Sequence, residues 1–168
     1  ISSTGTIFTG AQGVIESASS AGSLTISGGA TNKGGQILLR GGNGDADIIF
    51  KAQASTASPT ERMRIMNDGK VLIGKQTTAF GTAGVRIDPT NIQVTTNGGT
   101  VGYFNRLSSD GTILELYKDG SVVGSIGVLN TNNLTVGGLV ADHAGLQFGT
   151  HSIAPMEAGS DSDGAIDL

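Results

Sequence analysis

The chain's only imidazoles, His143 and His151, stand eight residues apart. Zinc-ligand pairs on one element usually sit about two to five apart, so this spacing matches no zinc motif. Cysteine, the other common ligand, is absent. Asp142 beside His143 suggests an acid–base pair, but neighbours on a strand point to opposite faces. Glu157, Asp161, Asp163 and Asp167 raise the question of calcium, and Asp161-Ser162-Asp163-Gly164 alternates carboxylates. The twelve-residue loop and bidentate glutamate of an EF-hand are missing, so the run reads as a solvated acidic turn. Gly34-Gly35, Gly41-Gly42 and Gly137-Gly138 lack the lysine–serine/threonine pair and helix of a phosphate loop. These residues therefore assign no catalytic group, metal ligand or cofactor. Tyr103, Phe104, Arg106 and Tyr117 are a different set. Aromatic faces and bidentate polar groups hold sugars, which makes Tyr103, Arg106 and Tyr117 the glycan-binding candidates. The competing reading puts Phe104 in the core and packs both tyrosines with their hydroxyls in water.

The elements that must carry these residues are short. Apolar runs followed by Gly, Asn, Asp or Ser recur at 24–26, 36–39, 47–50, 63–66, 70–74, 84–87, 112–116, 122–126 and 134–136. No segment sustains a helical period with caps, so the chain reads as all-β. The 168 residues include 28 glycines, more than twice the usual share, while aromatics are 4%. Thin Ile, Leu and Val strands must offset a backbone ordering cost of roughly 1–2 kcal/mol per residue. Burial shared between several chains is the simplest way to meet it, which predicts an elongated β-fibre and not a pocket enzyme.

Disorder does not fit a 37% apolar content laid out in patterned runs. Collagen does not fit three prolines without a glycine period. A net charge of -4 without a basic stripe argues against nucleic acid, and no apolar run reaches membrane length. No signal peptide is recognisable, and Ile1 suggests a piece of a longer polypeptide.

Along the chain, residues 1–22 suggest short, loosely specified strands, and 41–45 a turn needing positive φ. Asn67-Asp68-Gly69 predicts a hairpin, with Met63 and Ile65 facing one side, Arg62 and Arg64 the other, and Val71 and Ile73 matching the apolar side. Residues 76–82 look like a junction. Asp110-Gly111 and Asp119-Gly120 suggest the turns of a three-strand meander. The expected division is an N-terminal β-fibre module over 1–78, a second β module over 79–140, and a C-terminal segment with an acidic tail over 141–168.

Glu61-Arg62-Met63-Arg64-Ile65 followed by Asp68-Gly69-Lys70-Val71-Leu72-Ile73-Gly74 resembles a pattern frequent in tail fibres and tailspikes of tailed bacteriophages. There it lies upstream of an endosialidase-type intramolecular chaperone. Ala144-Gly145-Leu146-Gln147-Phe148-Gly149-Thr150-His151-Ser152-Ile153-Ala154-Pro155-Met156 and the ending Asp163-Gly164-Ala165-Ile166-Asp167-Leu168 are similar to fibre stretches just before that chaperone. The middle of the chain resembles such fibres in style only. The resemblance implies a homotrimer of triple β-helix or β-prism type, located in the extracellular virion tail among other tail proteins. It also implies contact with host cell-surface polysaccharide, and a C-terminal chaperone that would assemble the trimer and cleave itself off a precursor.

Three functional expectations follow. The first is a structural, receptor-binding fibre segment without enzymatic activity. The second is a capsule depolymerase, a lyase or hydrolase using inter-subunit grooves. Tyr103, Arg106, Tyr117 and His143 would supply its base and charge neutralisation, and Glu115 is the main strand carboxylate available to a hydrolase. The third is a trimeric bacterial adhesin, which heptad stalks would favour and this chain lacks.

Overall fold

A computed structural model describes residues 22–29, 34–42, 46–53, 58–138, 143–157 and the backbone of 160–161. The strands expected within 1–21, the tip of the 41–45 turn and the acidic run from 162 lie outside these residues. Among the described residues every regular element is a strand, and the chain forms two antiparallel sheets. It divides into two compact units between Val101 and Gly102. The boundary expected at 78/79 falls between neighbouring strands of the first sheet, and that at 140/141 between neighbouring strands of the second.

The first sheet is a seven-stranded meander: β1 (Ser23–Ser27), β2 (Gln36–Arg40), β3 (Ile48–Ala52), β4 (Thr60–Ile65), β5 (Val71–Ile73), β6 (Gly84–Asp88) and β7 (Asn91–Thr95). Because side chains alternate across a strand, its register decides which residues share a face. One cross-strand row runs Ile26, Ile37, Phe50, Met63, Ile73, Val85, Val94. A second runs Leu24, Leu39, Ile48, Ile65, Val71, Ile87, Ile92. All fourteen side chains are apolar and lie on one face. The row between them, on the other face, is Thr25, Leu38, Ile49, Arg64, Leu72, Arg86, Gln93. The apolar partners expected across the Asn67-Asp68-Gly69 hairpin are those observed, Met63 with Ile73 and Ile65 with Val71. Its turn closes through Gly69 N–H to Met66 O at 2.9 Å, with Gly69 at φ 84°. A type I turn with a left-handed glycine after it is a common three-residue hairpin loop.

The second sheet is also a meander: β8 (Gly111–Lys118), β9 (Ser121–Leu129), β10 (Asn133–Gly137), β11 (Ala144–Gly149), β12 (Ser152–Glu157) and the short β13 (Ser160–Asp161). Asp119 and Gly120, at φ 49° and 81°, form the two-residue turn between β8 and β9, the geometry that Asp-Gly favours. Asp110-Gly111 makes no such turn. Gly111 instead opens β8, and Asp110 Oδ2 accepts the Thr131 N–H at 2.9 Å, tying the β9–β10 loop to the start of β8. The expected three-strand meander is therefore part of a six-stranded one that starts at β8.

Candidate functional site

Three features of the described residues could do something chemical: the apolar faces, the charged back of the first sheet, and a cavity in the second.

The apolar rows of the first sheet are incompletely covered. Ile26 and Ile92 on the edge strands are 57% and 68% exposed, Val94 beside Ile92 is exposed too, and so are Ile48 and Ile73 between the edges. Seven strands at about 4.8 Å spacing and five residues at about 3.3 Å give a face of roughly 29 by 16 Å. That is on the order of 450 Å² in projection, within the range of the largest patches on ordinary monomers, about 300–600 Å². The second sheet repeats the arrangement. Leu114, Ile126, Val136, Leu146 and Pro155 form one row, and Val128, Leu134, Phe148 and Ile153 lie in the next. Leu134, Val136, Phe148 and Ile153 are exposed.

The back of the first sheet covers itself with long side chains. Arg64 grips Glu61 with two hydrogen bonds, Nε to Oε1 at 2.9 Å and Nη2 to Oε2 at 2.7 Å, and reaches Asp47 Oδ2 at 2.8 Å through Nη1. The bond to Glu61, with both neighbouring carboxylates, holds the Arg64 guanidinium above its ordinary value. Asp47 Oδ1 also accepts the Asn67 N–H at 3.1 Å, fastening β3 to the hairpin tip. Leu72 beneath is fully buried.

Residues 76–82, expected to be a junction, are the connection between β5 and β6 and are anchored to that sheet. The buried Lys75 Nζ donates to Ala79 O at 2.7 Å and Thr82 O at 2.9 Å. Arg86 Nη1 donates to Thr78 O at 2.8 Å, and Thr95 Oγ1 to Phe80 O at 2.9 Å. The anchored loop leaves Phe80 exposed. Charged side chains here hold backbone and each other, and no reacting group is presented.

The back of the second sheet carries small residues. Its rows read Thr112, Gly127, Thr135, Gln147, Ala154 and Glu115, Ser125, Gly137, Gly145, Met156. A cavity of about 190 Å³ is lined from all five strands β8 to β12. On a flat sheet β8 and β12 would stand about 19 Å apart, so this sheet curls around the cavity. Glycine permits the curl: a Cβ on Gly127 would sit 2.7 Å from Gly111 O, and one on Gly137 would sit 2.4 Å from Gly145 Cα.

The sugar-binding candidates from the sequence are not gathered at this cavity or at one another. Tyr103 and Phe104 lie in the irregular lead-in to β8, with Tyr103 87% exposed. Arg106 spends its guanidinium on local structure, through Nε to Ser109 O at 2.9 Å, Nη2 to Ser109 Oγ at 3.1 Å and Nη1 to Thr112 O at 3.3 Å. Tyr117 stands five residues further along β8, roughly 15 Å from that anchor. Its hydroxyl donates to Glu115 Oε2. That hydrogen bond and the carboxylate's charge hold the phenol above its ordinary value, so even less phenolate is present near neutral pH to accept a proton. His143 is exposed beside β11, and His151 occupies the β11–β12 turn at φ 63°. One chain thus assembles no lyase constellation from Tyr103, Arg106, Tyr117 and His143. Among the described residues no three His, Cys, Asp or Glu side chains cluster as metal ligands. The cavity escaped the sequence reading because its residues are drawn from five strands, and register alone collects them.

No protein-family model, curated protein or solved structure matches this chain.

Proposed function

We propose that this chain is a structural and receptor-binding segment of a bacteriophage tail fibre, working as a homotrimer in the extracellular virion tail and contacting host surface glycans without enzymatic activity. The observation that carries the reading is the pair of unbroken seven-residue apolar rows on one face of the first sheet, left only partly covered by the single chain. Water contact with so much apolar surface is unfavourable. Three copies turning equivalent faces to a common axis cover all of them and close the assembly without leaving a free face. The similarity of residues 61–74 and 144–168 to phage fibre sequences supplies the location and the glycan partner. It also supplies the other tail proteins and a chaperone in any longer precursor.

Light scattering behind size-exclusion chromatography tests the assembly. A mass three times the 16.8 kDa chain supports the reading, and a stable folded monomer overturns it. Incubation with host capsule oligosaccharides tests the rest: binding without cleavage is expected, and turnover would establish a depolymerase instead.

A further inference from the structure

We propose that the cavity in the curl of the second sheet is a binding site for a neutral, hydroxyl-rich group the size of one sugar ring. At about 190 Å³ it is smaller than the roughly 300–1,000 Å³ of pockets that take drug-sized ligands. A single ring fits that scale and an oligomer does not. Its polar lining is Asp110, Thr112, Ser125 and Thr135, with Val128, Leu129, Val136 and Met156 as apolar wall. That combination suits a group with hydroxyls on its rim and C–H bonds on its face.

Ser125 is the decisive residue. It is 6% exposed and lines the cavity, and no described residue hydrogen-bonds its hydroxyl. Among the described residues the sealed, unpartnered side-chain atoms are Arg86 Nε and Gln93 Oε1, so the Ser125 hydroxyl opens onto the cavity and pairs with what enters it, water or ligand. Gln147, two strands from Ser125 on the same face, is 5% exposed and its amide is likewise unpaired among the described residues. Charge narrows the ligand further. Among the described residues Asp110 is the only ionisable side chain on the wall, and it spends one oxygen on Thr131 N–H. Arg106, the nearest cation to Gly111, is committed to Ser109 and Thr112. The wall therefore accepts hydroxyl protons and disfavours anions. Gly137 and Gly145 keep the space open, since side chains there would meet opposing backbone.

The biological source of such a ring rests on the reading of the chain as a glycan-contacting fibre, whereas the cavity's chemistry does not. The test titrates the assembled protein with glucose, galactose, mannose and N-acetylglucosamine, their neutral oligosaccharides, and glucuronate as the anionic control, following amide shifts. At least one neutral sugar should move the Ser125 and Thr135 amides. Ser125→Ala and Thr135→Val should each weaken it by about tenfold, the scale of one lost hydrogen bond in a dry site. Glucuronate should bind more weakly than glucose. Tighter binding of an oligosaccharide identifies a chain end as the source, and equal binding a free sugar; either upholds the site. Shifts confined to Tyr103 and Tyr117, affinity unchanged in both variants, or no shift with any neutral sugar overturns it. The mass measured on the same samples separates the two proposals. A trimer that takes no sugar in the cavity overturns only this inference, and a monomer that takes sugar there overturns only the fibre.

Discussion

Behind its apolar rows the first sheet carries Arg64, Arg86, Asp88 and Gln93, whereas the second carries Ser125, Gly127, Thr135, Gly137 and Gly145. Each set shields its side of a single-layer sheet without a second layer. Long side chains lie over their own strands and pair with one another, so Leu72 beneath them is dry. Small ones let neighbouring strands approach closely, and a cavity is lined from β8 to β12 among them. Neither device touches the apolar fronts, which are alike in the two units. The backs are covered largely from within each unit, whereas the fronts stay partly exposed in the single chain.

The sharpest way to break that distinction is a charge on the front. Ile65→Lys, central in the first sheet, should reduce the mass seen by light scattering to that of one chain. An unpaired ammonium in an apolar contact costs several kcal/mol. Thr25→Lys, on the exposed back, should leave the mass unchanged. If both variants behave alike, front and back are not different in kind.

Next comes the ion cluster. Arg64→Leu leaves Asp47 and Glu61 largely buried without their cation, and should cost about 2–3 kcal/mol in urea unfolding, reduced from a fully buried case because Arg64 keeps some water contact. Glu115→Gln on the exposed part of the second sheet should stay within about 0.5 kcal/mol. Glycine gives the converse test. Gly127→Val must displace backbone and should cost about 1–3 kcal/mol. Gly35→Ala in the first unit meets only Lys51 O at 3.9 Å and should be neutral or stabilising by about 0.5 kcal/mol.

Smaller still is Thr131→Gly. Thr131 is β-branched at φ 77°, and relief of that strain, offset by glycine's chain entropy, should stabilise by about 1 kcal/mol in thermal unfolding. The smallest effect is acid dependence. The Thr90 hydroxyl, then the Thr90 and Asn91 N–H groups and Arg86, hold the Asp88 carboxyl below its ordinary 3.8. A depressed carboxylate stabilises the fold fully above the unfolded value, and that contribution is lost as pH falls through the lower folded one. Thr90→Val should therefore flatten the acid limb of the stability curve below 3.8 and leave neutral pH almost unaffected, as read from urea midpoints.

Sequence alone revealed what is local. Alternating Met63, Ile65 and Val71, Ile73 around Asn67-Asp68-Gly69 specified a hairpin and its apolar side, because alternation and turn chemistry act over a few residues. β7 was missed: Asn91-Ile92-Gln93-Val94-Thr95 puts only two apolar residues among polar ones, as an edge strand does. Asp110-Gly111 was misleading because the dipeptide suits any positive-φ position, and here the partner of Asp110 is Thr131, 21 residues away. Lys75, just before the expected junction at 76–82, carried no signal, since nothing nearby shows that its ammonium will be buried against two carbonyls. The cavity and the Asp47–Arg64 contact depend on register across strands, which no window of the sequence contains.

In both sheets every strand lies beside its neighbours in sequence. During synthesis each new strand therefore emerges next to a partner already made, and such near-in-sequence pairing closes quickly. The fronts are complete as soon as the last strand docks, whereas in the proposed trimer their cover would wait on a diffusive encounter whose rate rises with concentration. In the interval two apolar faces stand open, and aggregation competes with assembly for them.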